Sequence, residues 1–100
     1  MARRTPVLAA FASLSVVAVP VPSHAQNAEI LANACTSCHG VEGKSQGAIP
    51  SLVAVDAKVL ADAFKAFATG ARKGTVMNYV AKGYTDEQIA AISAYFAARK

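Results

Sequence analysis

Cys35-Thr36-Ser37-Cys38-His39 constrains this chain more than any other stretch. Two thiols three positions apart stand on roughly one side of a helical turn. His39 follows directly, rotated by about 100° round the same turn, so its imidazole can swing over whatever the thiols hold. That arrangement suits a flat macrocycle with two vinyl groups and a central iron. Each thiol forms a thioether to one vinyl, and the imidazole ligates the metal. The five residues read as the attachment site of a c-type haem, with Cys35 and Cys38 as covalent links and His39 as an axial ligand. A fold built round this site has to enclose one large apolar disc.

The first quarter of the chain reads as a leader. Arg3 and Arg4 form a basic start, and Val7 to Val19 is an apolar run broken only by Ser13 and Ser15. Pro20 and Pro22 end it, and Ser23-His24-Ala25 places small residues at the −3 and −1 positions of a cleavage site. This pattern is a secretory signal peptide over 1–25, too short to span a membrane, and it predicts export to the periplasm. Residues 26–100 then form a single haem-carrying domain. A domain of that size buries a marginal core by itself, and small exported domains supplement it with disulfides, a metal or a cofactor. A disulfide between Cys35 and Cys38 would close a trivial loop and stabilise little. A buried porphyrin offers several hundred Å² of apolar surface, worth many kcal/mol at ~25 cal/mol per Å². Size and cysteine content thus point the same way as the motif.

Charge says less. Removing Arg3 and Arg4 lowers Lys plus Arg from 10 to 8 against 6 acidic residues, a net +2 before any haem propionates. No basic run interleaved with aromatics exists, so the sequence gives no support to a nucleic-acid partner.

Four helical segments and no convincing strand can be read beyond the leader. Asn27 caps a first helix from Ala28 to about Ala34, with Ile30, Leu31 and Ala34 on one side. Gly40 to Gly47 reads as a loop, and Pro50 stops helix propagation after it. Asp56 caps a second helix from Ala57 to Thr69, with Gly70 as its C′ residue. On that helix Val59, Leu60, Ala63, Phe64 and Phe67 form an apolar stripe, read as core and pocket wall. Thr75 to Lys82 makes a short helix closed by Gly83. Thr85-Asp86-Glu87-Gln88 is a capping box, and Asp86 and Glu87 favour the dipole of the helix it opens. Ile89, Ile92, Tyr95 and Phe96 continue as its apolar face toward a basic end at Arg99 and Lys100. The expected class is all-α, with about four short helices wrapped round one haem.

The second axial position needs a neutral, soft donor. Met77 is the only methionine beyond the leader, as His39 is the only histidine. His/Met ligation raises the iron potential and suits electron transfer. The alternatives are a methionine that fills core space, or an open sixth position suited to gas binding or peroxidase chemistry. No second histidine or other obvious distal acid–base residue favours the open site. Pro50 is either a turn former or a carbonyl that accepts from His39 Nδ1, which would leave Nε2 for the iron. Arg72 and Lys73 are candidates for the propionates, and Tyr79 for lining the Met77 side. Lys44, Lys58, Lys65 and Lys82 are candidates for steering an acidic partner. A thioredoxin-type pair would need a βαβ context and a structural zinc site four ligands, and the sequence offers neither.

Cys35-Thr-Ser-Cys-His39-Gly40, Ile49-Pro50-Ser-Leu52, Met77 and the run from Tyr84 to Ala97 resemble class I cytochromes c. The likeness spans Ala28 to about Ala98. It implies an all-α fold in which the N- and C-terminal helices cross and the haem lies between them and the loops. It also implies Cys35 and Cys38 as thioether links, His39 and Met77 as axial ligands, Pro50 as the carbonyl that orients His39, and Leu52 as packing on the haem. Gly47 to Leu52 and Thr75 to Glu87 are similar to the small cytochrome subunits of flavocytochrome c sulfide dehydrogenases. That likeness implies a flavoprotein dehydrogenase as electron donor.

The expected protein is therefore an exported monohaem electron carrier that makes and breaks no bonds of its own. A subunit docked on a flavoprotein, a free shuttle between respiratory or photosynthetic complexes, and a haem sensor or enzyme with an open iron site are the three functional readings.

Overall fold

Capping chemistry sets the two longest helices downstream of the cysteines. In a computed structural model, which describes residues 2–3, 5–20 and 23–100, the order is α1 (Ser23–Asn33), α2 (Thr36–His39), a 3₁₀ turn (Val41–Gly43), α3 (Ala57–Thr69), α4 (Met77–Ala81) and α5 (Asp86–Ala97). Arg4 and Pro22 of the expected leader lie outside the described residues. Among the described residues there is no strand, and no helix is long and apolar enough to cross a membrane.

Asp56 opens α3 by accepting from the backbone N–H of Lys58 at 2.8 Å and of Val59 at 3.4 Å. Gly70 closes it in the left-handed conformation, with φ of 82°. At α5, Thr85 Oγ1 accepts from Gln88 N at 3.2 Å while Gln88 Oε1 accepts from Thr85 N at 2.9 Å. Each bond satisfies a backbone donor that the first helical turn leaves without a partner. At the other end of α5, Arg99 Nη1 donates to the Tyr95 carbonyl at 2.7 Å, and its guanidinium lies over the Tyr95 ring.

Three expectations need correction. α1 begins at Ser23, so Asn27 lies inside the helix rather than at its cap. No glycine or proline stands between Ser23 and Asn27, and a helix with a turn in front of it has no use for a cap there. α1 also buries a different face: Ala28 and Ala32 are buried, whereas Ile30 is 70% exposed and Ala34 is exposed. Ala32 packs against Ile92 and Phe96 of α5, so a small side chain of α1 faces the core there. On α3, Val59 is 58% exposed while Leu60, Ala63, Phe64 and Phe67 are half-buried. Val59 therefore lies outside the stripe.

α5 is the spine. Ile89, Ile92, Ser93 and Phe96 are all buried, and α1 and α3 both pack against this helix, with α4 on α3. Ala32, Ile92 and Phe96 form the centre of the core, with Leu31, Cys35, Leu52, Val53, Leu60, Phe64, Tyr84 and Tyr95 around it. The Ser93 hydroxyl is buried without a hydrogen-bond partner. A buried, unpaired hydroxyl is costly, so Ser93→Ala should raise unfolding stability by about 1 kcal/mol. Denaturant unfolding checks this, and a loss of stability would contradict it.

Residues 5–20 stand apart from this core. They have no regular secondary structure, and Val7, Leu8, Phe11, Leu14, Val16 and Val17 are between 81% and 94% exposed.

Candidate functional site

The Cys-x-x-Cys-His segment folds as one turn. Thr36–His39 is helical, and His39 N–H donates to the Cys35 carbonyl at 2.9 Å, so one backbone turn carries both the imidazole and the first thiol. Gly40 then redirects the chain at φ 90° and ψ 161°, a conformation reserved for glycine. The 3₁₀ turn follows, with Gly43 N–H donating to the Gly40 carbonyl at 2.9 Å and Lys44 N–H to that of Val41 at 3.0 Å. Leu52 N–H donates to the Gly43 carbonyl at 2.8 Å, which brings residues 50–52 back across the turn.

That return places the Pro50 carbonyl 2.6 Å from His39 Nδ1. A carbonyl only accepts, so Nδ1 carries the proton and donates, and Nε2 is left with a free lone pair. The loop proline thus does more than form a turn: its oxygen selects the imidazole tautomer and fixes the ring plane.

Cys35 and Cys38 are not joined to each other, and they differ in setting. Cys35 is half-buried against the Ala32–Ile92–Phe96 core, and Cys38 is exposed. Burial pushes the Cys35 thiol above its ordinary pKa, and the neighbouring Cys38 adds to the effect. Leu52 is half-buried against the same core as Cys35. Cys35, Cys38, His39, Pro50 and Leu52 therefore form one connected unit.

Met77 stands apart from that unit in the chain. It is the first residue of α4, half-buried, and reaches the rest of the molecule through α3. The side chain next to it, Asn78, forms hydrogen bonds that no sequence pattern announced. Asn78 Nδ2 donates to the Phe67 carbonyl at 2.8 Å and to the Arg72 carbonyl at 2.7 Å, and Oδ1 accepts from Gly74 N–H at 2.8 Å. An asparagine inside a helical run gives no hint of such a role until the loop before it is seen in place.

The remaining candidates fall as follows. The Arg72 guanidinium sits over the Phe67 ring, 4.8 Å from its centroid. Lys58 pairs with Asp62 on the exposed side of α3. Tyr79 is 79% exposed and points to solvent. Phe64 meets Tyr84 edge-on, with ring centroids 5.6 Å apart.

These residues fit a haem. One imidazole offers a free nitrogen, two thiols stand on the turn before it, and α3 presents an apolar stripe of which no residue is fully buried. Leu52, Leu60 and Phe64 extend that half-buried apolar surface toward the core.

Comparison with known proteins agrees with this chemistry. A family model for cytochrome c matches residues 25–99. The chain is similar to the cytochrome subunit of sulfide dehydrogenase from Chlorobaculum tepidum, at 39% identity over 88 residues, covering 86% of this chain and 80% of that protein. It is similar to cytochrome c-553 of Helicobacter pylori, at 33% identity over 85 residues, covering 83% and 88%. It is also similar to the thiosulfate dehydrogenase electron acceptor of Thiomonas intermedia, at 35% identity over 71 residues, covering 69% of this chain and 33% of that protein.

Proposed function

The chain belongs to the cytochrome c family and is an electron-transfer protein with one covalently bound haem c that exchanges electrons with redox partner proteins, and on that footing we propose which residues hold the haem and which partner it serves. Cys35 and Cys38 form the two thioethers. His39 Nε2 and the Met77 thioether are the axial ligands, Pro50 orients His39 through its carbonyl, and Leu52 packs on the ring. The observation that carries this reading is the 2.6 Å bond from His39 Nδ1 to the Pro50 carbonyl beside the cysteine pair. Such a bond fixes the ring orientation and raises the basicity of the other nitrogen.

When bound, the haem supplies a reversible one-electron couple at its iron. The residues of the chain do the rest. His39 and Met77 would hold the iron through both oxidation states without ligand exchange, which would keep reorganisation small. Leu52, Leu60, Phe64 and Phe67 keep water from the site. No side chain acts as acid, base or nucleophile, so the protein carries an electron and leaves bond chemistry to its partner.

Residues 1–25 serve as a secretory signal, removed near Ala25, and the mature domain of residues 26–100 works in the periplasm. The exposed apolar run from Val7 to Val17, packed on nothing in the folded part, supports this reading. The electron donor is a flavoprotein dehydrogenase that oxidises sulfide. The likeness to the Chlorobaculum tepidum subunit, with the runs Gly47–Leu52 and Thr75–Glu87, favours it.

Purified exported protein should carry the mass of one haem beyond the polypeptide and give a low-spin optical spectrum. Met77→Ala should keep the covalent haem and lose the weak long-wavelength absorption of a thioether-ligated ferric iron. Bare polypeptide mass overturns the attachment, and survival of that absorption overturns the Met77 assignment. Co-purification with a flavoprotein separates a docked subunit from a free carrier.

A further inference from the structure

We propose that Asn78 is the positioning residue for Met77, clamping the first turn of α4 to the end of α3 so that the thioether is held in place as a ligand. The inference rests on the reading of Met77 as axial ligand.

The need for such a clamp follows from α4 itself. The helix covers only Met77–Ala81, and its N-cap residue, Val76, provides no side-chain bond to the first N–H groups. So short a helix is not stable alone, because nucleation costs more than its few backbone bonds return. Met77 is its first residue, where an unanchored helix frays. The placement of the thioether must therefore come from outside α4.

The Asn78 side chain supplies that anchor. Both its amide hydrogens and its oxygen are used, on three separate points: the Phe67 carbonyl in the last turn of α3, the Arg72 carbonyl in the loop, and Gly74 N–H just before α4. The two carbonyls can only accept and the N–H only donate, so one orientation of the amide satisfies all three. Three directed bonds from one planar group fix both the position and the rotation of the α4 start. The loop they hold is wrapped round Phe67. The Arg72 guanidinium lies over that ring, and a Cβ on Gly74 would come within 2.9 Å of Phe67 Cε1. The same point lies 3.6 Å from Met77 Cβ, so the ligand side chain leaves a turn whose shape Asn78 sets.

The test uses haem-loaded ferric protein in five forms: wild type, Asn78→Ala, Asn78→Asp, Asn78→Ser and Met77→Ala. Asn78→Ala removes all three bonds. Asn78→Asp keeps an acceptor for Gly74 N–H and sets a carboxylate against two carbonyls. Both should lose most of the thioether absorption and show a midpoint potential shifted down toward that of Met77→Ala. Their affinity for added imidazole should rise by about tenfold or more, the effect of losing two or three bonds of ordinary net strength. Asn78→Ser keeps one donor and one acceptor on a shorter arm, and should fall between. In wild type, the Asn78 side-chain amide protons should exchange slowly in the reduced protein, a measurement that depends on no variant assembling.

Variants with a lowered thermal midpoint but wild-type absorption, potential and imidazole affinity would overturn the proposal, as would rapid exchange of the Asn78 amide. If Met77→Ala itself keeps the absorption, the ligand assignment has failed instead.

Discussion

Gly40→Ala is expected to cost about 3 kcal/mol or more of stability and to cut the yield of haem-loaded protein sharply. Gly40 sits at φ 90° directly after His39, and a Cβ there would lie 2.0 Å from the Lys44 carbonyl oxygen, 2.5 Å from its carbon and 2.9 Å from Ser45 Cα. All three are backbone atoms, so no side chain can step aside. Relief requires opening the turn over residues 40–45. Opening breaks the bonds from Gly43 N–H to Gly40 and from Lys44 N–H to Val41, and it moves Gly43, whose carbonyl holds Leu52. Pro50 lies two residues before Leu52, so its carbonyl would leave His39 Nδ1. Gly47→Ala is the matched control, because nothing lies within 4 Å of the position its Cβ would take. Thermal unfolding and the haem content of both variants decide the point. A Gly40→Ala protein with the midpoint and haem content of Gly47→Ala would show that the turn does not hold the site.

Phe96→Ala should destabilise by ~3–5 kcal/mol, the usual range for emptying a buried aromatic site. Phe96 is 1% exposed and lies at the centre of the core with Ala32 and Ile92. Its ring also supports the site. The space where a Gly43 Cβ would stand is 2.7 Å from Phe96 Cδ1 and Cε1, so the ring lies directly beneath the turn that carries His39 to Pro50. The edge-on contact with Tyr95, at 5.3 Å between centroids, is lost as well. Phe96→Leu, which refills most of the volume, should recover a large part of the loss. Denaturant unfolding of the two variants checks the expectation, and a cost for Phe96→Ala below about 1 kcal/mol would contradict it.

The Phe96 effect runs through neighbours far along the chain, Ala32 and Gly43, and contacts of that kind carry no local sequence signal. The capping boundaries at Asp56, Gly70, Thr85 and Gln88 were legible because each depends on atoms within one helical turn. The pattern over 75–82 predicts a helix longer than α4, whose ends rest on packing against α3 and on Asn78 rather than on a cap. The glycines over 40–47 predict a loop, and the structure adds a 3₁₀ turn at Val41–Gly43 within it. The structure departs from the expected Asn27 cap and Ile30 face of the first helix for a related reason. Periodicity shows that a helix has an apolar side, but packing decided that Ala28 and Ala32, not the larger Ile30, are buried, with Ala32 set against Ile92 and Phe96 of α5.

The Cys-x-x-Cys-His motif, the all-α class and the caps of α3 and α5 were determined by the sequence alone, since all are matters of residue type or of spacing within a turn. The tertiary structure decided that the Pro50 carbonyl meets His39, that Asn78 ties Met77 to the end of α3, and which alanines face α5. His39 to Pro50 and Asn78 to Phe67 are each separated by 11 residues, with a glycine-containing turn between them. Over that distance the meeting of two polar atoms depends on how the intervening turn packs, and no helical period extends across it.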